Sequence, residues 1–350
     1  MILPIILFGS ALISWLIITL IRRYAGQVGL IAQSNDRSSH VEPTPSGGGL
    51  GIVLVCTLTG LYLFFVYDTA GASHIWPLSL GLLLACVGLW DDIQHVSARI
   101  RALTQIICCL GLLVVVDSLP AGYINFSPIS FGLLTPALEL SGVVLSILLL
   151  ISGVWWINLF NFMDGIDGLA GIQALFMIIA GWGVSAWMHP EVLSSPLWLW
   201  ASCIVGATSA FTVLNWPPAS IFMGDVGSTW LAFIIFVLGL LSIQSGWSTY
   251  TVWLILGAVF ITDTTVTLLT RILRNKRWYS AHRSHAYQQL ARRWSSHRSV
   301  TLLALAINIF LLLPLVFISL LWPQWNLVWL GCAYVPLIVG TIKLGAGKND

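Results

Sequence analysis

The stretch Asn158-Leu-Phe-Asn-Phe-Met-Asp-Gly-Ile-Asp-Gly-Leu-Ala-Gly171 is a polar segment between two apolar runs, each long enough to cross a membrane. Its two carboxylates, Asp164 and Asp167, follow the amides of Asn158 and Asn161. Because an ionised carboxylate inside a bilayer is costly, such a cluster at a membrane edge is a candidate functional site. Oxygen ligands beside glycines suit a hard cation such as magnesium, which in turn indicates a phosphate substrate. The alternative is a polar loop that is acidic without being functional.

The composition of the whole chain is that of a membrane protein. Of its 350 residues, 58% are hydrophobic and only 8% are charged, and the mean hydropathy is +0.92. These values exclude an ordinary soluble globular domain and predict a polytopic membrane protein. All six cysteines lie in apolar runs without zinc-ligand spacing, so we predict no structural disulfide.

The apolar runs predict an all-α integral membrane protein with about eleven transmembrane helices, formed as a single polytopic domain over residues 1–350. We find no internal repeat. The first run is followed by Arg22 and Arg23 and has no basic region before it, so we expect a retained span and not a cleaved signal. The eleven candidate spans are 1–21, 48–67, 75–90, 102–118, 140–158, 168–187, 197–214, 228–243, 250–270, 300–320 and 325–343.

The basic residues predict the orientation of the chain in the membrane. All fifteen Lys and Arg residues follow odd-numbered spans and therefore fall on one side. The positive-inside rule makes that side cytoplasmic, with the N-terminus outside and the C-terminus inside. The polar segments share this side, so we predict an active site on the cytoplasmic face. These segments are 37–51, 91–105, 158–167, 215–228 and 271–299.

The side chains of these segments are those that phosphoryl transfer requires. Carboxylates and amides can hold magnesium, while histidines and arginines can hold phosphate oxygens. Asp225 lies in a glycine-bounded turn before a helix, with Ser228 expected at the N-cap, and a helix N-terminus attracts phosphate. The carboxylates at the cytoplasmic ends of spans are Asp91, Asp92, Asp164, Asp167 and Asp225.

Several of these features also have a plainer interpretation. The Asp91-Asp92 pair could end a span and extend into water, and the glycines at 47–49 could form a flexible turn, because no Walker pattern follows them. His282 and His285 could be solvated residues of a basic loop. Asp263 lies among threonines inside span nine, and a structural role fits it as well as a functional one.

Taken together, the motifs resemble those of the polyprenyl-phosphate N-acetylhexosamine-1-phosphate transferase superfamily, whose members begin O-antigen, enterobacterial common antigen and peptidoglycan lipid intermediates. The resemblance extends from the Pro-Thr-Pro-Ser-Gly-Gly-Gly loop to His285. The Ser38-Ser-His40 and Ala281-His-Arg-Ser-His-Ala-Tyr287 strings are most similar to the O-antigen-initiating branch. The other motifs that carry it are Asp91-Asp92, the 158–171 stretch and Phe222-Met-Gly-Asp-Val-Gly-Ser228.

The resemblance implies a role for each matching side chain. Asp225 and Asn161 match positions that hold magnesium, for which manganese is an alternative, on the nucleotide-sugar pyrophosphate. The catalytic set that it implies is Asp91, Asp92, Asp164 and Asp167, the first two beside the lipid phosphate and the others organising the nucleotide and the site. The implied substrate-binding set is His40, Arg99, Arg101, Asn158, His282, Arg283 and His285.

Two departures from the family pattern bear on the substrate. His95 stands where relatives often have the third carboxylate of Asp-Asp-x-x-Asp. The histidine motif is His-x-x-His, without the triple histidine of the peptidoglycan branch, and this weakens the case for a muramyl-pentapeptide substrate.

The resemblance implies an enzyme of the bacterial inner membrane. It would transfer an N-acetylhexosamine-1-phosphate (FucNAc, QuiNAc or GlcNAc) from a UDP-sugar to undecaprenyl phosphate, releasing UMP and initiating O-antigen and lipopolysaccharide assembly. The two substrates and the bilayer are the expected partners; nucleic acid is not expected, and a homodimer is left open.

The alternatives are a phospho-MurNAc-pentapeptide transferase, a transporter and a CDP-alcohol phosphotransferase. A transporter is disfavoured because the acids lie at span ends and no inverted repeat is visible. The long Asp-Gly…Asp…Asp spacing of the CDP-alcohol type is absent.

Overall fold

The computed structural model describes residues 2–32, 43–67, 72–116, 142–276 and 283–348. These residues are mostly helical, and a two-residue antiparallel pair, β1 (Ile31–Ala32) with β2 (Thr44–Pro45), joins the first two helices. The helices are α1 (Ile2–Val28), α2 (Gly49–Val66), α3 (Ala72–Ile93), α4 (Ala98–Val115), α5 (Gly142–Met163), α6 (Leu169–Met188), α7 (Pro196–Leu214), α8 (Asp225–Gln244), α9 (Tyr250–Leu256), α10 (Ala258–Leu273), α11 (Ala286–Trp294), α12 (His297–Ile307), α13 (Leu313–Leu321) and α14 (Asn326–Lys343).

The predicted all-α membrane architecture is confirmed. Among the residues that the structure describes, ten helices are long and apolar enough to cross a membrane, and the bent pair α9–α10 brings the number to eleven. One of the ten is continuous over His297–Leu321 and contains a π-helical turn at Asn308–Leu312. The orientation of the bundle in the membrane stays a prediction. The residues between the fourth and fifth predicted spans, 119–139, lie outside the described residues.

Span nine differs from the single run expected at 250–270. The helix breaks at Gly257, and the axes of α9 and α10 differ by 70°. The carbonyl of Leu256 at this break accepts a 2.9 Å hydrogen bond from the buried amide of Gln173, which in turn accepts a 2.8 Å hydrogen bond from Asn308. Hydropathy could not predict the bend, because the run is apolar on both sides of it.

The third span also ends later than expected. Hydropathy placed its end near residue 90, but α3 continues to Ile93 and includes Asp91 and Asp92 in its last turn. A helix can extend beyond its apolar part because its backbone hydrogen bonds do not depend on side-chain polarity. The Asp91-Asp92 pair is therefore helical, and its carboxylates make the contacts described below.

Helix α8 lies at the centre of the bundle and is almost entirely buried. Glycines allow two neighbouring helices to approach its first turn closely. A Cβ added at Gly88 of α3 would lie 2.6 Å from the carbonyl oxygen of Asp225, and one added at Gly49 of α2 would overlap the backbone of Gly227. The glycine run at 47–49 therefore serves close helix packing, as small residues commonly do between membrane helices.

Candidate active site

The N-terminus of α8 is held in place by a carboxylate of another helix. Asp92 accepts hydrogen bonds from the backbone nitrogens of Asp225 at 2.8 Å and Val226 at 3.0 Å. These are the first two residues of α8, whose N–H groups have no partner within their own helix. Gly224 precedes them with φ +77°, and a Cβ added there would lie 2.5 Å from the Asp92 carboxylate. Asp92 therefore fixes the position of Asp225.

Asp225 connects α8 to the central stretch of the sequence. Its Oδ1 accepts a 2.8 Å hydrogen bond from Nδ2 of Asn161, which also donates to Oγ of Ser228 at 2.9 Å. Ser228 was expected at the N-cap, and this prediction is wrong: Gly224 occupies the N-cap, and Ser228 lies within the first turn. The buried serine hydroxyl serves to hold the amide of Asn161 against α8.

Arg101 brings a positive charge to two of the site carboxylates. Its Nη1 lies 2.7 Å from Oδ2 of Asp91 and 3.4 Å from Oδ2 of Asp225. The other oxygen of Asp91 accepts a 2.7 Å hydrogen bond from the backbone of Val96, in the turn that leads into α4. Because the Arg101 side chain remains 42% exposed, its guanidinium can still reach a bound anion.

The carboxyl group of Asp164 is buried among other carboxylates, and no described group of opposite charge pairs with it. It lies between α5 and α6, and its carboxylate makes no hydrogen bond or ion pair with any residue that the structure describes. Burial, followed by the negative charges of Asp225, Asp92 and Asp167, raises the pKa of the Asp164 carboxyl well above its ordinary value. A bound cation would relieve this repulsion.

The oxygen donors of the site fit a magnesium ion. Asn161 donates through its amide nitrogen, and among the described residues nothing occupies its amide oxygen. The amide group of Asn161 contacts Asp225 directly, and Asp164 is close enough to Asp225 for their negative charges to interact. In the described ranges, no three His, Cys, Asp or Glu side chains form a complete metal cluster. Magnesium commonly takes one or two carboxylates and completes its shell with water and substrate phosphate.

Asp167 holds the segment after α7 and the start of α12. Its Oδ2 accepts a 3.1 Å hydrogen bond from the backbone of Ala219 and lies 3.4 Å from Nδ1 of His297. Its backbone carbonyl accepts a 2.9 Å hydrogen bond from Thr301. The next residue, Gly168, donates to Oδ1 of Asn215 at 2.8 Å. These contacts give Asp167 an organising position.

Asn158 lies about one helical turn before Asn161 in α5 and pairs with a side-chain amide of α4. Its Nδ2 donates to Oε1 of Gln105 at 2.6 Å and to the carbonyl of Val154 at 2.8 Å, and Gln105 donates back at 3.4 Å. The pair joins α4 to α5. A substrate contact for Asn158 stays a prediction.

Asp263 holds residues 285–287, here called the histidine segment, in the same way as Asp92 holds the start of α8. Its carboxylate accepts hydrogen bonds from the backbone nitrogens of Ala286 at 2.9 Å and Tyr287 at 2.8 Å, which are the first two residues of α11. Its Oδ1 also lies 3.3 Å from Nδ1 of the buried His285. The sequence left the role of Asp263 open between a structural and a functional one. The feature of the sequence that could have pointed to this contact is a carboxylate inside an apolar run.

The histidine segment contacts the end of α5 next to Asp164. The hydroxyl of Tyr287 donates a 2.8 Å hydrogen bond to the carbonyl of Phe162, and a Cβ added at Gly165 would collide with that hydroxyl. The ring of His285 stacks on Tyr287 with centroids 5.7 Å apart. The structure therefore brings His285 beside the 158–171 stretch, although the two are far apart in the sequence.

Not every predicted site residue is brought into this cluster. Arg99 is exposed at the start of α4 and makes no hydrogen bond with a described residue. The backbone carbonyl of Arg283 accepts a 2.7 Å hydrogen bond from Arg292. His40 and His282 lie outside the residues that the structure describes.

Comparisons with known proteins find a matching family model and several similar proteins. Residues 74–243 match the model of glycosyl transferase family 4. A probable undecaprenyl-phosphate N-acetylglucosaminyl 1-phosphate transferase from Bacillus subtilis is 28% identical over 300 residues, which cover 84% of this chain and 79% of the relative. A decaprenyl-phosphate N-acetylglucosaminephosphotransferase from Mycobacterium tuberculosis is 27% identical over 319 residues, covering 84% and 77%.

A phospho-N-acetylmuramoyl-pentapeptide-transferase from Lactococcus lactis is 28% identical over 233 residues, which cover 65% of this chain and 66% of the relative. The family match includes Asp91, Asp92, the 158–171 stretch and Asp225. The names of these relatives do not confirm the expected likeness to the O-antigen-initiating branch. The comparisons show that this chain is similar to glycosyl transferase family 4 over residues 74–243 and, over most of its length, to relatives named as polyprenyl-phosphate sugar-phosphate transferases.

Proposed function

We propose that the protein transfers an N-acetylhexosamine-1-phosphate group from a UDP-sugar to undecaprenyl phosphate and releases UMP. The observation that carries this proposal is the excess of carboxylates around the α8 N-terminus, where Asp164 has no described partner and Arg101 balances only part of the charge. A nucleotide-sugar pyrophosphate bound with magnesium would complete such a site. The relatives named for polyprenyl-phosphate transfer support the same substrate class.

The magnesium ion would be held by oxygens of Asn161, Asp164 and Asp225, and manganese would serve as a substitute. When bound, the metal would offset the charge that develops on the pyrophosphate oxygens. Arg101, fixed by its two carboxylate contacts, would bind a phosphate oxygen through a charge-assisted hydrogen bond.

The reaction is a direct displacement at phosphorus. An oxygen of the lipid phosphate attacks the β-phosphorus of the UDP-sugar, the bond from that phosphorus to the bridging oxygen breaks, and UMP leaves with the electron pair. The anomeric carbon takes no part, so its configuration is retained. Asp92, with both oxygens on the α8 backbone, contributes by positioning Asp225, whereas Asp91 contributes by orienting Arg101. These roles refine the catalytic assignment of the acidic pair.

An apolar cavity supports a lipid acceptor. It has a volume of about 400 Å³ and lies among α5, α8, α9 and α10, with mostly hydrophobic walls that include Phe236 and Trp253. Leu159 lines it, only two residues before Asn161 in α5. Part of the polyprenyl chain would occupy this space while its phosphate reaches the carboxylate cluster.

GlcNAc, FucNAc and QuiNAc are the candidate sugars. GlcNAc is favoured by the names of the relatives, and the two 6-deoxy sugars by the sequence strings around His40 and His285. With these sugars the product would begin O-antigen assembly at the inner membrane.

The test is UMP release by detergent-purified protein supplied with single UDP-sugars, with and without undecaprenyl phosphate and magnesium. We expect release with an N-acetylhexosamine only when the lipid phosphate and the metal are both present. Release that did not require the lipid, or no release with any sugar, would contradict the proposal. Release with UDP-MurNAc-pentapeptide alone would place the protein in the peptidoglycan branch.

A further inference from the structure

The segment Leu344–Lys348, which follows α14, folds back onto the residues that lead into the histidine segment. The backbone nitrogen of Gly347 donates a 2.8 Å hydrogen bond to the carbonyl of Ser284, directly before His285. Nη2 of Arg293 in α11 donates to the carbonyl of Leu344 at 3.1 Å. Ala346 is 1% exposed, so the 344–348 segment is packed into the structure.

Gly347 packs against the backbone of α10. Its φ is +72°, in the left-handed region that favours glycine. A Cβ added there would lie 2.6 Å from the carbonyl oxygen of Thr267 and 2.7 Å from Cβ of Thr270. The segment therefore rests directly on the backbone of α10, and this position has no room for a side chain.

The same face of α10 also holds the histidine segment. Asp263 binds the backbone of α11 and contacts Thr267, whose hydroxyl donates to it at 3.2 Å. One turn further, Nη1 of Arg271 donates to the hydroxyl of Ser284 at 3.2 Å. Ser284 is fully buried between this face and the 344–348 segment, so a shift at Gly347 would reach Ser284 and the adjacent His285.

We propose that the 344–348 segment is a positioning element for the histidine segment and, through it, for the nucleotide sugar. The second part of this inference rests on the proposed function and on the substrate-binding role that the resemblance implies for His285. The first part depends only on the packing of Gly347 against α10 and its hydrogen bond to Ser284.

The experiment compares Gly347→Ala with Gly345→Ala. Both glycines have positive φ, +72° and +85°, so both substitutions place an alanine in the left-handed region that favours glycine. A Cβ at Gly345 would meet no heavy atom within 4 Å, whereas one at Gly347 would collide with α10. We expect Gly347→Ala to raise the KM for the UDP-sugar about tenfold, because small displacements of binding groups have large effects on rate and affinity. The KM for undecaprenyl phosphate should stay unchanged, and Gly345→Ala should match the parent protein.

Hydrogen exchange provides a readout that does not depend on activity. The amides of Ala286 and Tyr287, which donate to Asp263, should exchange faster in Gly347→Ala than in Gly345→Ala or the parent protein. Unchanged exchange in Gly347→Ala would overturn the positioning role. Faster exchange with an unchanged KM for the UDP-sugar would overturn the link to the substrate.

If the parent protein releases no UMP from any UDP-sugar, the proposed function fails while the exchange comparison still decides the packing claim. If Gly347→Ala does not accumulate, Arg293→Met replaces it, because this variant removes the hydrogen bond to Leu344 without a collision. It should change the same two readouts in the same direction by a smaller factor, and parent-like values would overturn the inference.

Discussion

Asp92 and Asp263 perform the same structural task at two places. Each accepts hydrogen bonds from the first two backbone N–H groups of a helix to which it does not belong, α8 for Asp92 and α11 for Asp263. The N-terminal N–H groups of a helix have no intrahelical partner and carry partial positive charge, so a carboxylate stabilises them. Through these caps, the two aspartates fix the positions of Asp225 and His285.

Replacement of Asp225 by Asn tests the metal site at the scale of one residue. The amide would keep the size of the side chain but remove the charge beside Arg101 and one anionic oxygen for magnesium. We expect kcat to fall about a hundredfold, as it commonly does when an electrostatic stabiliser is lost. Glu191→Gln is the matched control, because Glu191 is an exposed carboxylate of the loop between α6 and α7. Near-normal turnover at ordinary magnesium concentrations would remove Asp225 from the site.

We expect the substitution Asp164→Asn to have opposite effects on stability and on activity. Burial and neighbouring charges raise the pKa of the Asp164 carboxyl in the folded protein. Ionisation of this carboxyl therefore destabilises the fold as the pH rises through the folded-state pKa, whereas below that pH the folded protein keeps the carboxyl protonated. Asp164→Asn should therefore raise the melting temperature by a few degrees at neutral pH without metal, and this difference should shrink as the pH falls. The same variant should lose most of its UMP release. The melting temperature is measured by tryptophan fluorescence across a range of pH. Equal values for Asp164→Asn and the parent protein would contradict the inference that the Asp164 carboxylate is unbalanced in the folded protein.

At the scale of the element, the close approach of α3 and α8 places the acidic pair beside Asp225. Gly88→Ala would put a methyl group 2.6 Å from the carbonyl oxygen of Asp225. We expect a loss of about 1–3 kcal/mol in stability, as overpacking usually causes, and a lower kcat, because Asp92 would no longer reach the α8 backbone. Gly183→Ala in α6 is the control, since an added Cβ there meets nothing within 4 Å. Equal melting temperatures and rates for the two variants would show that this contact is not required.

The sequence predicted the helices well because hydropathy is a local property, readable in each apolar run. It also predicted which polar segments share a face, since all of them follow odd-numbered spans. It could not predict that Asp92 caps the helix of Asp225, because the two are 133 positions apart and no local pattern links them. The pairing of Asn158 with Gln105 and the support of Ser284 by Gly347 are long-range contacts of the same kind. The bend at Gly257 was missed because the run is apolar on both sides of it, and the polar contact at the break comes from Gln173 of another helix.

At the scale of the whole molecule, the bundle presents two unlike ends. The ends of α3 and α5 and the starts of α4, α6 and α8 meet in the carboxylate cluster, and α11 packs against it. At the opposite end, the described residues around the α8–α9 turn are mainly Ser, Gly, Trp and Thr without charge. The distribution of Lys and Arg predicts an active site on the cytoplasmic face, which requires the charged end to face that compartment.

The orientation can be tested by placing one cysteine at each end. Asn275 lies just after α10 on the predicted cytoplasmic side, and Ser245 is exposed after α8 on the opposite side. We expect an impermeant thiol reagent to label Ser245→Cys in intact spheroplasts and Asn275→Cys only after the membrane is permeabilised, because all fifteen Lys and Arg fall on the side of Asn275. Four of the six native cysteines are buried. Labelling of the parent protein gives the background signal from the native cysteines. Labelling of Asn275→Cys in intact spheroplasts, with Ser245→Cys protected, would show that the orientation is the reverse of the predicted one. The carboxylate cluster would then lie on the side where UDP-sugars are absent. The proposed reaction could not then take place, so this measurement tests the orientation and the function together.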